Sequence, residues 1–293
     1  MKQQRLLIAL TALSVFAAIL TSLDAFWIEP DWIEATHHRI FAPLASPLKI
    51  AHLSDIHTHG LGRRERRMLA LLESEEPDLI VITGDTVSNG GFDDIFRETR
   101  RLKQARPKTA HDQGLAREND GRYEMCGEVL KHLHAPLGVW LVRGNWEHWW
   151  PLSDERKFYE SVGVNFLLNA GRPVRDNIWI LGFDDAVVGS PSLEAALAGV
   201  PPGAFKIALF HSPAYFERIA GRCNLAFAGH THGGQVRLPF LRPLWLPPGC
   251  GGFLEGWYEQ EGSRMYVSRG IGTSSFNVRF LCRPELAFIT VGR

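Results

Sequence analysis

The sequence predicts an α/β domain behind a single apolar N-terminal helix. From residue 48 onward, short β-branched apolar runs alternate with helical or turn-rich stretches, which is the pattern of a layered α/β fold. Of the 293 residues, 45% are hydrophobic and 22% are charged, close to the averages of globular proteins, so we expect a large buried core. Residues 6–23 carry no charge and are mostly apolar, which predicts the helix.

The N-terminal segment is predicted to be a membrane anchor. A short tail, residues 1–5, carries two cations ahead of the apolar residues 6–23, which are just long enough to cross a bilayer. A cleaved signal peptide is the alternative, but its apolar part usually spans about 7–15 residues and ends at an A-x-A site, which this segment lacks. Cations before the helix favour a cytoplasmic N-terminus and an outward-facing domain. Residues 24–47 are expected to form a juxtamembrane linker, and residues 48–293 the domain.

Charge and cysteine usage exclude several classes of protein. Lys plus Arg and Asp plus Glu both number 32, so the chain has no overall attraction for a polyanion, and we expect no nucleic-acid partner. Residues 93–123 form a charged stretch that is either a solvated insertion or a contact for anionic head groups or a substrate phosphate. The four cysteines are far apart, which excludes a Cys-x-x-Cys zinc or redox motif, and we expect them to be buried.

Five apolar runs end in side chains that can bind metals. Strands buried on both faces appear as continuous apolar runs, and open α/β sheets bind ligands beyond the carboxyl ends of their strands. Each pair of polar residues alone is also typical of an ordinary turn or a buried core histidine. The ordered set of five is what predicts that one sheet edge collects Asp55 with His57, Asp85, Asn145, His211, and His230 with His232.

These residue types indicate the chemistry. Carboxylate, amide and imidazole ligands without thiolate suit manganese, iron or zinc, whereas magnesium prefers oxygen ligands and several waters. A bridging carboxylate can hold two such ions about 3.5–4 Å apart, where they acidify a water and neutralise a phosphate oxygen. Hydrolysis of a phosphoester needs both effects.

In this order, the motifs D-I-H, G-D, G-N, H and G-H-T-H resemble those of the calcineurin-like metallophosphoesterases. The resemblance covers residues 49–293. It implies a four-layer α-β-β-α sandwich with two mixed sheets, and two divalent cations at the carboxyl ends of the strands, with manganese expected first and iron or zinc as alternatives. One cation would be bound by Asp55, His57 and His232, the other by Asn145, His211 and His230, with Asp85 as the bridge.

One position departs from the family pattern. The family has a histidine after the asparagine of G-N, often assigned to the leaving group, and this chain has Trp146 there, followed by the expected acid, Glu147. His148 is the candidate catalytic replacement, with a solvated loop histidine as the alternative. Loss of a general acid matters least when the leaving group is already good, as in a pyrophosphate or nucleotide. Trp146 and Arg279 are the candidate substrate-binding residues.

The C-terminal part resembles a subgroup of this family. G-H-T-H-G-G-Q-V-R-L-P and residues 265–274 and 279–286 are similar to membrane-anchored bacterial phosphodiesterases, which are related to UDP-2,3-diacylglucosamine hydrolases. The resemblance implies a lipid-linked or nucleotide phosphodiester or pyrophosphate as substrate. Residues 236–258 form a loop rich in Pro, Leu, Phe and Trp, expected to pack as a lid, to admit acyl chains or to enter the bilayer.

Two alternatives to a phosphodiesterase stay open at this point. One is a phosphatase acting on phosphoproteins or small phosphomonoesters, and the other is a metal-binding scaffold that has lost catalysis, for which Trp146 is the support. The resemblance places a single-pass protein in the bacterial inner membrane. The charge bias of the N-terminus favours the periplasmic face for the domain, whereas a UDP-sugar lipid precursor would be met in the cytoplasm.

Overall fold

The computed structural model describes residues 2–88, 121–243 and 245–292. Most of the charged stretch 93–123 therefore lies outside the described residues. The helices are α1 (Lys2–Leu23), α2 (Arg63–Glu75), α3 (Arg122–Leu130), α4 (Asn145–Trp149), α5 (Glu155–Ser161), α6 (Leu193–Leu197) and α7 (Phe216–Ile219).

The predicted two mixed sheets are confirmed, and in the described residues each has six strands. The first sheet has the order β1-β12-β2-β3-β4-β5, with strands β1 (Glu34–Phe41), β12 (Glu285–Gly292), β2 (Leu48–Leu53), β3 (Leu79–Ile82), β4 (Val139–Leu141) and β5 (Val164–Phe166). The second has the order β10-β11-β9-β8-β7-β6, with strands β10 (Gly256–Gln260), β11 (Ser263–Val267), β9 (Leu225–Ala228), β8 (Phe205–Leu209), β7 (Ile178–Gly182) and β6 (Ala170–Arg175).

The apolar runs supply the cores on both faces of each sheet. In β3, Leu79 and Val81 pack into the core between the two sheets, whereas Ile80 and Ile82 pack against α2 and α3. This division follows from the two-residue period of a strand. A third core lies between the second sheet and helices α6 and α7. The layers are therefore helix, sheet, sheet and helix, which confirms the predicted four-layer sandwich. All four cysteines are free and buried.

The segment expected as a linker, residues 24–47, is mostly regular structure. Helix α1 continues into a π-helical turn, Asp24–Ile28, and a 3₁₀ turn, Glu29–Asp31. Strand β1 then pairs in parallel with β12 over its whole length, so the first sheet begins before residue 48. Its sequence, EATHHRIF, shows no continuous apolar run because β1 is an edge strand whose side chains are mostly exposed or half-buried.

Helix α1 exposes its apolar side chains, as a helix that anchors a protein in a membrane would. All of its residues are exposed. The helical stretch Lys2–Asp31 is long enough and apolar enough to cross a membrane. An N-terminal signal sequence shares these two properties.

Candidate metal centre

The predicted ligands follow strand ends that share one edge of the sandwich. Strands β2, β3 and β4 run parallel in the first sheet, and β8 and β9 run parallel in the second. The loops beyond them are tied together, since the amide of Asp55 donates to the carbonyl of Gly84 and the amide of His57 to that of Asp85. The backbone is left-handed, with φ between 42° and 70°, at Asp55, His57, Asp85, His230 and His232. Such conformations are uncommon outside glycine and often mark functional sites.

Asp55, His57 and His232 form the first cluster of ligand atoms. One ligand atom from each lies within 4.8 Å of the others, and all three side chains are buried. Nε2 of His232 is 3.3 Å from both Nε2 of His57 and Oδ1 of Asp55. The three residues are the set that the sequence assigned to one cation.

Asp85, His211 and His230 form the second cluster. Nε2 of His211 lies 3.1 Å from Oδ2 of Asp85, 3.1 Å from Oδ1 of Asn145 and 3.0 Å from Nδ1 of His230. Oδ2 of Asp85 is also 3.8 Å from Nε2 of His57, in the first cluster. Asp85 therefore lies between the two clusters, where a bridging ligand is needed.

The hydrogen bonds of the histidines show that the site fits cations. The far ring nitrogens of three histidines face carbonyl oxygens, those of Val87 (His57), Thr83 (His211) and Pro248 (His230). A carbonyl only accepts, so these nitrogens carry protons, and in the neutral rings that bind metals the opposite nitrogens point lone pairs into the clusters. Those lone pairs meet other lone pairs and carboxylate oxygens at 3.0–3.3 Å. Cations between them would satisfy all of these atoms, which fits two divalent metal ions.

Burial sets the protonation of the cluster. It raises the pKa of Asp85 to about 8, an effect that Glu147 and Asp55 reinforce and His211 opposes. Burial lowers the pKa of His230 to about 4 and holds the pKa of His57 well below its usual range. The imidazoles of His57 and His230 are therefore neutral at pH 7, as metal ligands must be, whereas Asp85 and Asp55 raise the pKa of His211 well above its usual range. The metal-free centre thus keeps protons on the adjoining pair Asp85 and His211.

Glu147 fixes the loops that carry Asp85 and Asn145. It is buried, and its carboxylate accepts hydrogen bonds from the amides of Asp85 at 3.0 Å, Thr86 at 2.7 Å and Gly144 at 2.8 Å, as well as from the Thr86 hydroxyl. The two loops approach so closely that a Cβ on Gly84 would lie 2.5 Å from the amide nitrogen of Gly144. In the sequence, Glu147 was notable only as the acid that the family pattern expects. In the structure, it holds the two loops in position.

A cleft opens over the clusters. It is lined by ligands from both clusters together with aromatic and other mostly apolar side chains: Trp146, Trp149, Val187, Trp245, Pro247, Pro248 and Ser274. Trp146 is buried, its ring lies edge-on to His57 at 5.0 Å between centroids, and its amide donates to Oδ1 of Asp85. Trp146 thus lies at the wall of the cleft, next to a ligand residue of each cluster.

His148 lies on α4 beside the cleft and faces an acid. Its Nε2 is 2.7 Å from Oδ1 of Asp184, which also accepts a hydrogen bond from Nε of Arg143. The imidazole is 18% exposed and does not belong to the residues that line the cleft. The structure therefore partners His148 with an acid, but it does not place its ring over the metal ligands.

Arg279 requires a correction to the sequence prediction. It is fully buried, and its guanidinium donates to the carbonyls of Arg269, Gly270, Gly272 and Cys282. These carbonyls satisfy the cation internally, so it does not bind substrate. It instead supports the backbone of residues 269–272, whose Gly272 amide donates to the carbonyl of Asp55.

Two acids next to the centre were missed. Asp184 holds His148 and Arg143, and Asp185 accepts from the hydroxyl of Ser212, the neighbour of His211. Both follow the apolar strand β7, as the predicted ligands follow theirs. The same strand-end rule would have found them.

The fold and the paired clusters define a metal-dependent phosphoester hydrolase. Residues 48–234 match the family model described as calcineurin-like phosphoesterase, and the chain belongs to this family. It is 29% identical to the uncharacterised metallophosphoesterase YkuE of Bacillus subtilis over 279 residues, 91% of this chain and 88% of YkuE. It is 25% identical to phosphodiesterase YaeI of Escherichia coli over 282 residues, 90% of each chain. One solved crystal structure, 10% identical with a TM-score of 0.50, covers 75% of this chain and 90% of its own and supports the fold alone.

The substitution Glu147→Gln should weaken metal binding about 10- to 100-fold, which is the usual effect of losing a hydrogen-bond partner that orients metal ligands. A glutamine offers one acceptor oxygen, and its NH₂ group would face amide N–H groups. Titration of the metal-free protein with Mn²⁺ measures the effect. Glu160→Gln, at an exposed carboxylate on α5, is the matched control. Unchanged Mn²⁺ affinity in Glu147→Gln would contradict the positioning role.

Adding Mn²⁺ to the metal-free protein at pH 7 should acidify a weakly buffered solution. Asp85, whose pKa is about 8 without metal, and His211, whose pKa Asp85 raises, hold protons at that pH that must leave when a cation binds. The release should shrink as the starting pH rises above 8, because the carboxyl group is then already ionised. A pH electrode or indicator dye follows the change, and Asp85→Asn should release less. Release that grows with pH would refute the assignment.

Proposed function

We propose that this protein is a phosphodiesterase or pyrophosphate hydrolase whose substrate carries an apolar, lipid-linked group. The observation that carries the proposal is the lining of the cleft. Tryptophans and prolines flank the metal ligands, and among the residues that the structure describes, none of those lining the cleft is Lys or Arg.

This lining favours an esterified phosphate with an apolar substituent. A phosphomonoester carries a charge of about −1.5 to −2 at pH 7, and enzymes that bind it usually add Arg or Lys to the metal ions. A diester carries one charge, which two divalent cations can balance. Its second substituent needs a surface, and aromatic and proline side chains supply one for an acyl chain or a flat ring. A lipid-linked nucleotide such as UDP-2,3-diacylglucosamine would present both kinds of group.

The chain's own residues divide the work. Asp55, His57 and His232 would hold one cation, and Asn145, His211 and His230 the other, with Asp85 between them. When bound, the two cations supply Lewis-acid activation of the phosphate and of a water, with manganese as the expected metal. Trp146 excludes water beside the ligands and orients the ester group.

The membrane anchor is part of the proposal. Helix α1 would hold the domain at the bacterial inner membrane, where a lipid-linked phosphoester is found. The basic N-terminal tail favours the periplasmic face for the domain.

His148 is proposed as the group that protonates the leaving oxygen. Catalytic hydrogen bonds are often formed only in the substrate complex. The contact of His148 with Asp184 supports this role because it orients the ring on the helix whose Trp146 and Trp149 line the cleft.

With Mn²⁺, the wild type should hydrolyse bis(p-nitrophenyl) phosphate faster than p-nitrophenyl phosphate. Asp85→Asn and His230→Ala should each lose at least about 100-fold in kcat/KM, because even residues behind metal ligands cost 10- to 100-fold. Asp176→Asn and His132→Ala, at exposed positions, are the matched controls. Circular dichroism checks the fold. Activity retained in Asp85→Asn would overturn the assignment of the metal centre, and preference for the monoester would favour a phosphomonoesterase.

His148→Gln should slow the hydrolysis of a diester with an alkyl leaving group about 100-fold, and that of bis(p-nitrophenyl) phosphate by only a few-fold. An alkoxide needs a proton as it leaves, whereas p-nitrophenolate does not. Glutamine can still donate to Asp184, so the variant tests the proton and not the hydrogen bond. An equal loss on both substrates would assign His148 to positioning.

A further inference from the structure

The N-terminal helix joins the domain at the edge that carries the metal centre. Strand β1 runs parallel to β12, and β12 runs antiparallel to β2, so β1 and β2 point in opposite directions. The first residue of β1, Glu34, therefore lies at the edge where β2 ends and its ligands begin. Its last residue, Phe41, pairs with Gly292 at the opposite edge. The chain thus enters the sheet from the side of the site.

The turns that follow α1 and the start of the apolar loop at residues 236–248 contact the same short segment, residues 279–282. The amide of Arg279 donates to the carbonyl of Ala25, and the buried Glu29 carboxylate accepts from the amides of Leu281 and Cys282. On the other side, the carbonyl of Phe280 accepts from the amide of Arg237 at 2.9 Å. The apolar loop therefore begins beside the end of the helix.

We call residues 236–243 and 245–248 the lid. Its tip exposes three large apolar side chains to solvent: Leu238 (39%), Phe240 (106%) and Leu241 (61%). Soluble monomers seldom expose several large apolar side chains side by side, because burying them is favourable. Arg242, the next residue in sequence, is also exposed. Apolar tips with a cation beside them are typical of loops at a membrane surface.

The other end of the lid belongs to the cleft. Trp245, Pro247 and Pro248 line it, and the carbonyl of Pro248 accepts a hydrogen bond from Nε2 of His230. One loop therefore contacts a metal-ligand residue and carries the exposed apolar tip.

The end of the helix indicates where the membrane surface lies. Phe26 and Trp27 are 45% and 67% exposed just after α1, and Trp32 is stacked under the guanidinium of Arg283 at 4.1 Å. Aromatic residues at the end of an apolar helix typically lie at the level of the lipid head groups. The chain from Arg237 to Phe240 spans at most about 10 Å, so the lid tip lies within that distance of the point where the loop contacts residues 279–282.

We propose that the lid tip inserts into the bilayer surface from which α1 emerges, so that the cleft opens directly at the membrane. A phosphoester could then reach the metal centre while its acyl chains stay in the bilayer. This inference rests on the proposed function for the substrate class, and on α1 as the anchor for the membrane. The bilayer is favoured over a protein partner because the tip continues the surface that the aromatic end of the helix already marks.

The first test places a fluorescent probe on the lid tip. Phe240→Cys, labelled with an environment-sensitive dye, is studied in the full-length protein in nanodiscs of phosphatidylethanolamine and phosphatidylglycerol. Phe41→Cys, at a position that is 75% exposed at the opposite edge, is the matched control. Wild type treated with the same dye measures the background labelling of the four buried cysteines. The probe at 240 should shift to the blue and be quenched by lipids spin-labelled near the head group. If iodide in water quenches it as fully as the probe at 41, the insertion is refuted.

The second test separates the membrane contact from the chemistry. The double variant Phe240→Ser with Leu241→Ser should lose at least about 10-fold of its activity on a fluorescent phosphatidylglycerol in vesicles, the equivalent of about 1.4 kcal/mol. Its activity on soluble bis(p-nitrophenyl) phosphate should stay within about two-fold, as should both activities of Phe41→Ser. Loss on neither substrate, or equal loss on both, would overturn the inference. A wild type inactive on both substrates would count against the proposed function, and the probe test would still decide the insertion.

Discussion

The buried carboxylate of Glu147 accepts hydrogen bonds from amides of two loops that follow different strands. Without it, the left-handed backbone of Asp85 would be held by fewer hydrogen bonds, chiefly the one from the Trp146 amide to its side chain and the one from the His57 amide to its carbonyl. The ligand atoms of both clusters crowd together before a cation binds, because carboxylate oxygens and imidazole nitrogens lie within hydrogen-bond distance of one another. Backbone amides that donate to Glu147, and carbonyls that accept from the outer nitrogens of the histidines, keep this crowded arrangement in place. The rigidity of the loops is therefore a condition for the chemistry.

Much of this centre could be predicted because its signals are local in sequence. A strand buried on both faces must be apolar along its length, and in a parallel sheet the residue after its carboxyl end must lie near the same edge as those of its neighbours. Asp55, Asp85 and His211 all follow such runs, and the structure brings them together. The first sheet strand escaped prediction because an edge strand buries few side chains, so EATHHRIF shows neither a continuous apolar run nor a clean alternation.

Arg279 shows what a motif cannot reveal. Whether a guanidinium faces solvent depends on which carbonyls the folded chain collects around it, and here they come from residues 269–272 and 282. A short motif contains no record of those partners. Asp184 is the opposite case, because its place after an apolar strand was visible in the sequence. Its partners Arg143 and His148 follow β4, a strand of the other sheet. Strand ends therefore predict where polar groups collect, and tertiary contacts decide which of them face the cleft.

With α1 as the proposed anchor, the direction of β1 would bring the metal centre to the membrane whichever way the helix crosses it. Because β1 enters at the metal edge, the distance from the end of α1 to the cleft is fixed by the sheet and not by the orientation of the protein. Reversing the topology would move the site to the other leaflet and leave its height above the bilayer unchanged. The conflict between a basic N-terminal tail and a cytoplasmic lipid precursor therefore concerns which leaflet supplies the substrate. The way in which an apolar substrate would enter the cleft is the same in both cases.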